Sequence, residues 1–272
     1  IIPIDVIRFS DNEISNLIAK MERDPSTFSL LGYSSALELI CRYLERTSHG
    51  RVKADVSSVI AISETLNDYT RQGVEKYFGV KAVSRYSNLE NGIIAQQLPA
   101  DSSGRFLINS ASYFVEVLKM DSDKKALPGE PGRIVVTDLF NYAMPMIRYD
   151  TGDIGSMTTD CTTPGRQYLD TVEGRKMDLL NDTAGNLVSS FIVYKNMWHY
   201  TEIDQYQLIQ EGAREYTFKI NCSEKFTREE QLIREFKTYL GNDADFRIEY
   251  VSEIPLLSSG KRKKIVNNFI VE

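Results

Sequence analysis

The sequence predicts an α/β fold that runs on into an α+β one: a partial large domain with a parallel sheet, helices and a β-rich subdomain, then a small C-terminal domain. Three observations predict it. Over the first third, apolar runs of strand length alternate with segments of helical period, which implies a parallel sheet with crossover helices. Between Gly104 and Thr171, short strands separated by turn residues replace that rhythm. After Gly174, strand and helix mix afresh. With 272 residues, 42% of them hydrophobic, the chain can bury a large core beside a small one.

Taken in order, the pattern reads as a strand over 5–10 and an amphipathic helix over 12–23 that opens after Asp11 as cap. A strand over 27–31 precedes a helix over 34–45 capped by Ser34 or Ser35. A strand over 56–62, a helix over 67–78 and a strand over 82–86 complete the alternation. In the β-rich part the clearest strands are 106–110, 113–120 and 133–139. Pro128-Gly129 and Pro131-Gly132 mark a turn there, and a distorted barrel is the expected form. The last unit reads as a strand, a helix near 190–198, strands over 204–210 and 216–222, a helix over 228–240 and a strand over 246–251. The expected division is a large domain over 1–172, a hinge over 173–178 and a small domain over 179–272.

Composition narrows the function. A net charge of −6 and a pI near 5.2 argue against a broad nucleic-acid-binding surface. No run of eighteen apolar residues offers a membrane span. Cys41, Cys161 and Cys222 are far apart and odd in number, which fits a reducing cytoplasm better than a disulfide framework. With His49 and His199 as the histidines, a histidine-based triad or metal site is disfavoured. Ile1-Ile2-Pro3-Ile4 has neither the charged nor the apolar region of a signal peptide, and the expectation is a polypeptide that continues upstream.

Four segments carry chemistry. Tyr86-Ser87-Asn88-Leu89-Glu90 follows a predicted strand: an aromatic at a parallel strand's carboxyl end can cover a flat base, and a carboxylate four residues on can hold Mg²⁺. Tyr149-Asp150-Thr151-Gly152-Asp153 reads as a tight turn after a strand, where an acceptor-only carboxylate can take both hydroxyls of a ribose. Glu173-Gly174-Arg175-Lys176-Met177-Asp178, at the expected boundary, suits a hinge. Pro255-Leu256-Leu257-Ser258-Ser259-Gly260-Lys261 puts a lysine on a Ser-Gly loop, a mobile point charge suited to a phosphate, followed by Arg262-Lys263-Lys264. Each alone is equally an ordinary strand end, turn, linker or solvated basic run.

Together and in this order, the four resemble the adenylate-forming superfamily. Gly129-Glu130 through Thr137 adds that family's Gly-Glu…Thr segment, and Ser63-Glu64-Thr65 resembles its turn beside adenine. Gly32-Tyr33-Ser34-Ser35 looks like the helix start of the phenylacetate–CoA ligase branch, which also holds CapK-like proteins of surface polysaccharides. Three departures stand out: Leu89 replaces a Thr or Ser, Met177 replaces a polar hinge residue, and the family's Ser/Thr/Gly-rich phosphate loop, which lies upstream of these motifs, is not in this sequence.

The resemblance implies ATP-dependent activation of a small-molecule carboxylate as an acyl-adenylate, with pyrophosphate release, then transfer to a thiol of CoA or a carrier protein. It implies Lys261 as catalytic residue, nucleotide contacts from Ser63, Glu64, Tyr86, Ser87, Asp153 and Arg175, Mg²⁺ on Glu90, and a pivot at Met177 and Asp178. ATP or AMP, Mg²⁺ and CoA are the implied ligands. A non-catalytic or truncated homologue, or a ligase with a non-thiol acceptor in polysaccharide biosynthesis, are the alternatives. Acyl substrate, acceptor and oligomeric state are not legible.

Overall fold

The computed structural model describes residues 1–4, 9–158, 166–175, 179–188, 191–257 and 262–269. The chain divides into two compact units, Ile1–Gly174 and Arg175–Glu272.

In the first unit, helix α1 (Asp11–Arg23) begins at Ser10, whose backbone N–H donates to the Glu13 carboxylate at 2.7 Å, so the cap lies one residue before the expected Asp11. Strand β1 (Thr27–Tyr33), helix α2 (Ser34–Arg46), strand β2 (Asp55–Ile62), helix α3 (Asp68–Phe78) and strand β3 (Ala82–Asn88) follow. The three strands are parallel, β1 beside β2 and β2 beside β3. Asn67 caps α3, its side chain accepting from the Thr70 N–H at 2.8 Å. The helices bury Ile14, Ile18, Leu37, Ile40 and Val74 against Val56, Val59, Ala61 and Ala82 of the strands. Helices α2 and α3 touch closely: a Cβ on Gly73 would lie 2.7 Å from the Cys41 sulfur. The expected strand over 5–10 lies partly outside the described residues, and Phe9 and Ser10 are not in a strand.

From β3 the chain turns antiparallel through β4 (Gly92–Gln97), β5 (Phe106–Ile108), β6 (Tyr113–Leu118), β7 (Gly132–Asp138), β8 (Tyr149–Thr158) and β9 (Tyr168–Arg175). The β-rich part is continuous with the parallel sheet, in one nine-stranded sheet of order β1-β2-β3-β4-β5-β9-β8-β7-β6. That sheet curls. Tyr86, Ile94, Phe106, Val115, Ile134 and Leu169, from six different strands, share one apolar cluster. The Tyr113 hydroxyl on β6 donates to the Asn91 carbonyl between β3 and β4, drawing distant strands together.

Two features of β7 and β8 matter for the site. Gly132 passes so close to β6 that a Cβ there would lie 2.1 Å from the Leu118 carbonyl oxygen. On β8, Thr151, Gly152 and Asp153 stand opposite Ile134 alone, since Arg133 pairs with Ile154 and Val135 with Asp150. This bulge, with Gly152 at φ 76°, is where the sequence suggested a turn after a strand; the segment is instead an irregularity within a long strand. Thr151 supplies the missing ladder contacts, its hydroxyl donating to the Ile134 carbonyl at 2.9 Å and accepting from the Asp153 N–H at 3.2 Å.

The second unit contains β10 (Leu180–Asn181), β11 (Leu187–Val188), α4 (Phe191–Met197), β12 (Gln205–Gln210), β13 (Glu215–Asn221), α5 (Glu229–Leu240), β14 (Asp245–Tyr250) and β15 (Ile265–Asn267). Four of its strands form a sheet of order β14-β13-β12-β15. Its core is aromatic: Phe218 packs edge-on against Phe236 at 4.8 Å between ring centres and stacks on Phe246 at 5.9 Å. Gln210, fully buried, accepts from the Asn181 N–H at 2.8 Å and donates to the Asn181 carbonyl at 3.2 Å, tying β10 to the sheet.

Three substitutions test this account of the first unit. Gly132→Ala should destabilise it by about 1–3 kcal/mol, because backbone must move to admit the methyl. Gly50→Ala, with open space around it and ordinary φ, should not. Thr151→Val should cost about 1–3 kcal/mol by stranding the Ile134 carbonyl and the Asp153 N–H. Urea denaturation midpoints read all three, and an unshifted midpoint for Gly132→Ala contradicts the close β6–β7 approach.

Candidate functional site

The curl of the sheet brings together residues that the sequence keeps far apart. Tyr86 on β3 is 8% exposed, its ring in the apolar cluster and its hydroxyl 2.8 Å from Asp153 Oδ2 on β8 and 3.1 Å from the Thr151 hydroxyl. Burial, and then the Asp153 charge, push the Tyr86 phenol far above its ordinary value, so it is a hydrogen-bond donor across the physiological range. Tyr149, four residues before Asp153, lies near Glu90, and burial followed by the Glu90 charge raises its pKa as well. Tyr86, Glu90 and Asp153, taken from two segments of sequence, therefore lie around one cluster with Thr151 and Tyr149. Ser87 follows on β3, half-buried.

The bulge is braced from outside. Arg133 Nη1 lies 2.5 Å from Asp150 Oδ2, and its other nitrogen 3.0 Å from Asp123. Arg148, in a left-handed backbone at φ 51°, donates its N–H to the Thr137 hydroxyl at 3.0 Å and its guanidinium to Glu116 at 3.1 Å. Thr137 thus steadies the entry to β8, while Glu130 accepts from the Leu127 N–H at 2.7 Å and closes its own turn. Sequence reasoning assigned no role to Thr151, Tyr149 or Arg148. The signal for Thr151 was present, a hydroxyl residue before a glycine that takes a positive φ.

Ser63 and Glu64 sit elsewhere, at the carboxyl end of β2. Ser63 has a left-handed backbone, φ 66°, and Glu64 Oε2 accepts from the Ser35 N–H at 2.8 Å. Glu64 therefore supplies the acceptor at the start of α2 that was expected from Ser34 or Ser35; Tyr33 occupies the cap position without capping the helix through its side chain.

In the second unit, Lys261 and the neighbouring 258–260 lie outside the described residues, as do Met177 and Asp178. The backbone of Glu173, Gly174 and Arg175 belongs to β9, so half of the expected hinge is strand; the Arg175 side chain is outside the description. Leu256 pairs with Arg262 across residues 257–261. Within the basic run, the described residues 262–264 are half-buried. Arg262 donates to the Ile254 carbonyl at 2.9 Å and to Glu253 at 2.7 Å, and the Lys264 ammonium lies 4.9 Å from the centre of the Tyr206 ring.

Residues 180–268 match the CapK C-terminal domain family. Protein CapK of Staphylococcus aureus is 23% identical over 248 residues, 88% of this chain and 53% of its own length. The phenylacetate–coenzyme A ligase of Thermus thermophilus is 26% identical over 174 residues, 61% of this chain and 39% of its own. The chain thus spans about half, or less, of these relatives. Among solved structures, a 2-hydroxyisobutyryl-CoA ligase bound to an acyl-AMP shares the fold with a TM-score of 0.73 at 16% identity, over 95% of this chain and 58% of its own. An anthranilate CoA ligase bound to anthranoyl-AMP shares it at 0.69 and 17%, over 96% and 51%. Residues 180–268 thus match a CapK C-terminal domain, and over its length the chain is similar to Protein CapK and to a phenylacetate–coenzyme A ligase, with the fold of the CoA ligases.

Proposed function

We propose that this chain contributes the nucleotide-binding and lid portions of an enzyme that activates a small-molecule carboxylate with ATP, releasing pyrophosphate, and then passes the acyl group from the adenylate to a thiol of CoA or a carrier protein. The observation that carries the reading is the hydrogen-bonded cluster of Tyr86, Thr151 and Asp153, two motif segments 65 residues apart in sequence. Support comes also from the relatives, one of them a coenzyme A ligase by name.

In this reading the Tyr86 ring flanks adenine, and Asp153 and Arg175 take the ribose hydroxyls, with Ser63, Glu64 and Ser87 on the nucleotide's margin. Glu90 is exposed and offers oxygen donors, which fits Mg²⁺, an ion that keeps waters and takes one or two carboxylates beside substrate phosphates. Bound there, the ion would neutralise phosphate charge. Lys261 supplies a cation to the carboxylate and α-phosphoryl oxygens, where negative charge gathers as the carboxylate attacks. Met177 and Asp178 would absorb the backbone change that carries Lys261 in and out. The 1–172 and 179–272 division then corresponds to the large nucleotide-binding domain and its lid. A cytoplasmic location fits substrates of this kind.

Two measurements on the intact polypeptide test the proposal. Asp153→Ala should weaken AMP binding by about 2–5 kcal/mol, the usual loss for a desolvated charged partner, read by calorimetry. Unchanged affinity removes Asp153 from the site. Lys261→Ala should lower carboxylate-dependent ATP–pyrophosphate exchange by about a hundred- to a thousandfold, while thioester formation from a supplied acyl-adenylate largely survives. Lys225→Ala, an exposed lysine of the same unit, should leave both rates as in the wild type. Equal small losses for the two lysines contradict the catalytic assignment.

A further inference from the structure

We infer that the Tyr86 hydroxyl is a positioning group for Asp153, fixing the carboxylate that meets the ribose, so that Tyr86 acts on the nucleotide through its oxygen as well as its ring. The inference rests on the nucleotide site proposed above and deepens it.

Proton accounting gives the direction. Thr151 has one hydroxyl proton, and the Ile134 carbonyl, 2.9 Å away, takes it. The Thr151 oxygen meanwhile accepts from the Asp153 N–H at 3.2 Å. At the 3.1 Å contact between the two hydroxyls, the Tyr86 proton is therefore not needed by Thr151, and it goes to Asp153 Oδ2 at 2.8 Å. The phenol stays protonated because it is buried beside a carboxylate.

The contact holds Asp153 where the backbone alone would not. Asp153 follows Gly152 in a bulge with three residues opposite one, so ladder pairing does not fix its side chain. Tyr86 comes from β3, in a rigid part of the sheet whose neighbours are buried apolar side chains. This hydrogen bond thus ties an acceptor on an irregular strand to β3 and favours one rotation of the carboxylate plane. A carboxylate so oriented presents its acceptors in one direction, the requirement for taking vicinal hydroxyls. The same bond aligns the edge of the ring with the ribose-binding group, so that base and sugar contacts are set by one side chain.

The test uses AMP and 3′-deoxy-AMP as probes, with binding followed by calorimetry on the intact polypeptide. Tyr86→Phe keeps the ring and the packing and removes the hydroxyl. It should weaken AMP by about tenfold, the scale of one hydrogen bond to a charged group. It should weaken 3′-deoxy-AMP less, so that discrimination between the two falls. In an Asp153→Ala background, Tyr86→Phe should change AMP affinity by less than about twofold, since the residue it acts through is gone. Equal weakening of both nucleotides assigns Tyr86 to the base alone and overturns the inference, as does an additive double variant. The nucleotide site itself fails in a distinct way: wild type does not bind AMP, or Asp153→Ala binds it unchanged, and either result overturns both readings. Near-UV circular dichroism of Tyr86→Phe, expected to keep the wild-type band shape, separates lost positioning from lost fold.

Discussion

Everything in the first unit that concerns chemistry depends on the curl of one sheet. Strands β3 and β8 are four spacings apart in the hydrogen-bonded order, which in a flat sheet would separate them by roughly 19 Å. Their side chains instead meet at 2.8 Å. The twist of adjacent strands supplies part of this, and an apolar cluster drawn from six strands rewards the closed form by removing Ile94, Val115, Ile134 and Leu169 from water. Glycines at the tight contacts permit it. A Cβ on Gly155 would lie 2.4 Å from the Thr171 carbonyl oxygen, a clash of the same kind as the one that Gly132 avoids. The bulge at 151–153 then exploits the curvature: its extra residues bend β8 and turn Asp153 out of the ladder toward Tyr86.

Local signals in the sequence read well where one face of an element is buried and the other is not. Helices α1, α2, α3 and α5 fall within a residue or two of their expected bounds, because Ile14, Ile18 and Met21, or Leu232, Phe236 and Leu240, recur at helical spacing. Strand β4 escaped because it does not alternate. Its consecutive Ile94 and Ala95 are both buried, a consequence of the register shift at Tyr86 and Ser87 on its neighbour. Strand β9 was obscured at its end, where Glu173-Gly174-Arg175 resembled a linker by composition alone. The identity of several site residues was legible in the motifs. Their meeting was not, since it is a property of strand order and curl, and no local pattern encodes that Tyr86 and Asp153 are neighbours.

Some residues that look chemical in the sequence also have architectural work. Glu64 meets the exposed N–H groups at the start of α2, where a carboxylate complements the positive end of the helix dipole. The left-handed Ser63 before it sets the direction of that carboxylate. A helix start without its own side-chain cap makes the Glu64 contact valuable, and it couples the end of β2 to the crossover helix that precedes it. Asn67, which donates to Glu38 at 3.0 Å while capping α3, repeats the device one connection later. The segment after β2 is thus tied by polar side chains to the start of α2 and the start of α3, beside the buried Leu66.

In the second unit, polar contacts of the same kind hold the described residues on either side of 258–261. Arg262 is held by the Ile254 carbonyl and by Glu253, and Leu256 pairs with Arg262 across the loop. Lys263 gives its carbonyl to the Gln207 side chain at 2.6 Å, and Lys264 rests over Tyr206. Each basic residue after Lys261 therefore has a local partner on β12 or the segment before the loop. A basic run read from sequence alone suggests a diffuse attraction; with Arg262 paired to Glu253, the field that the run projects is weaker.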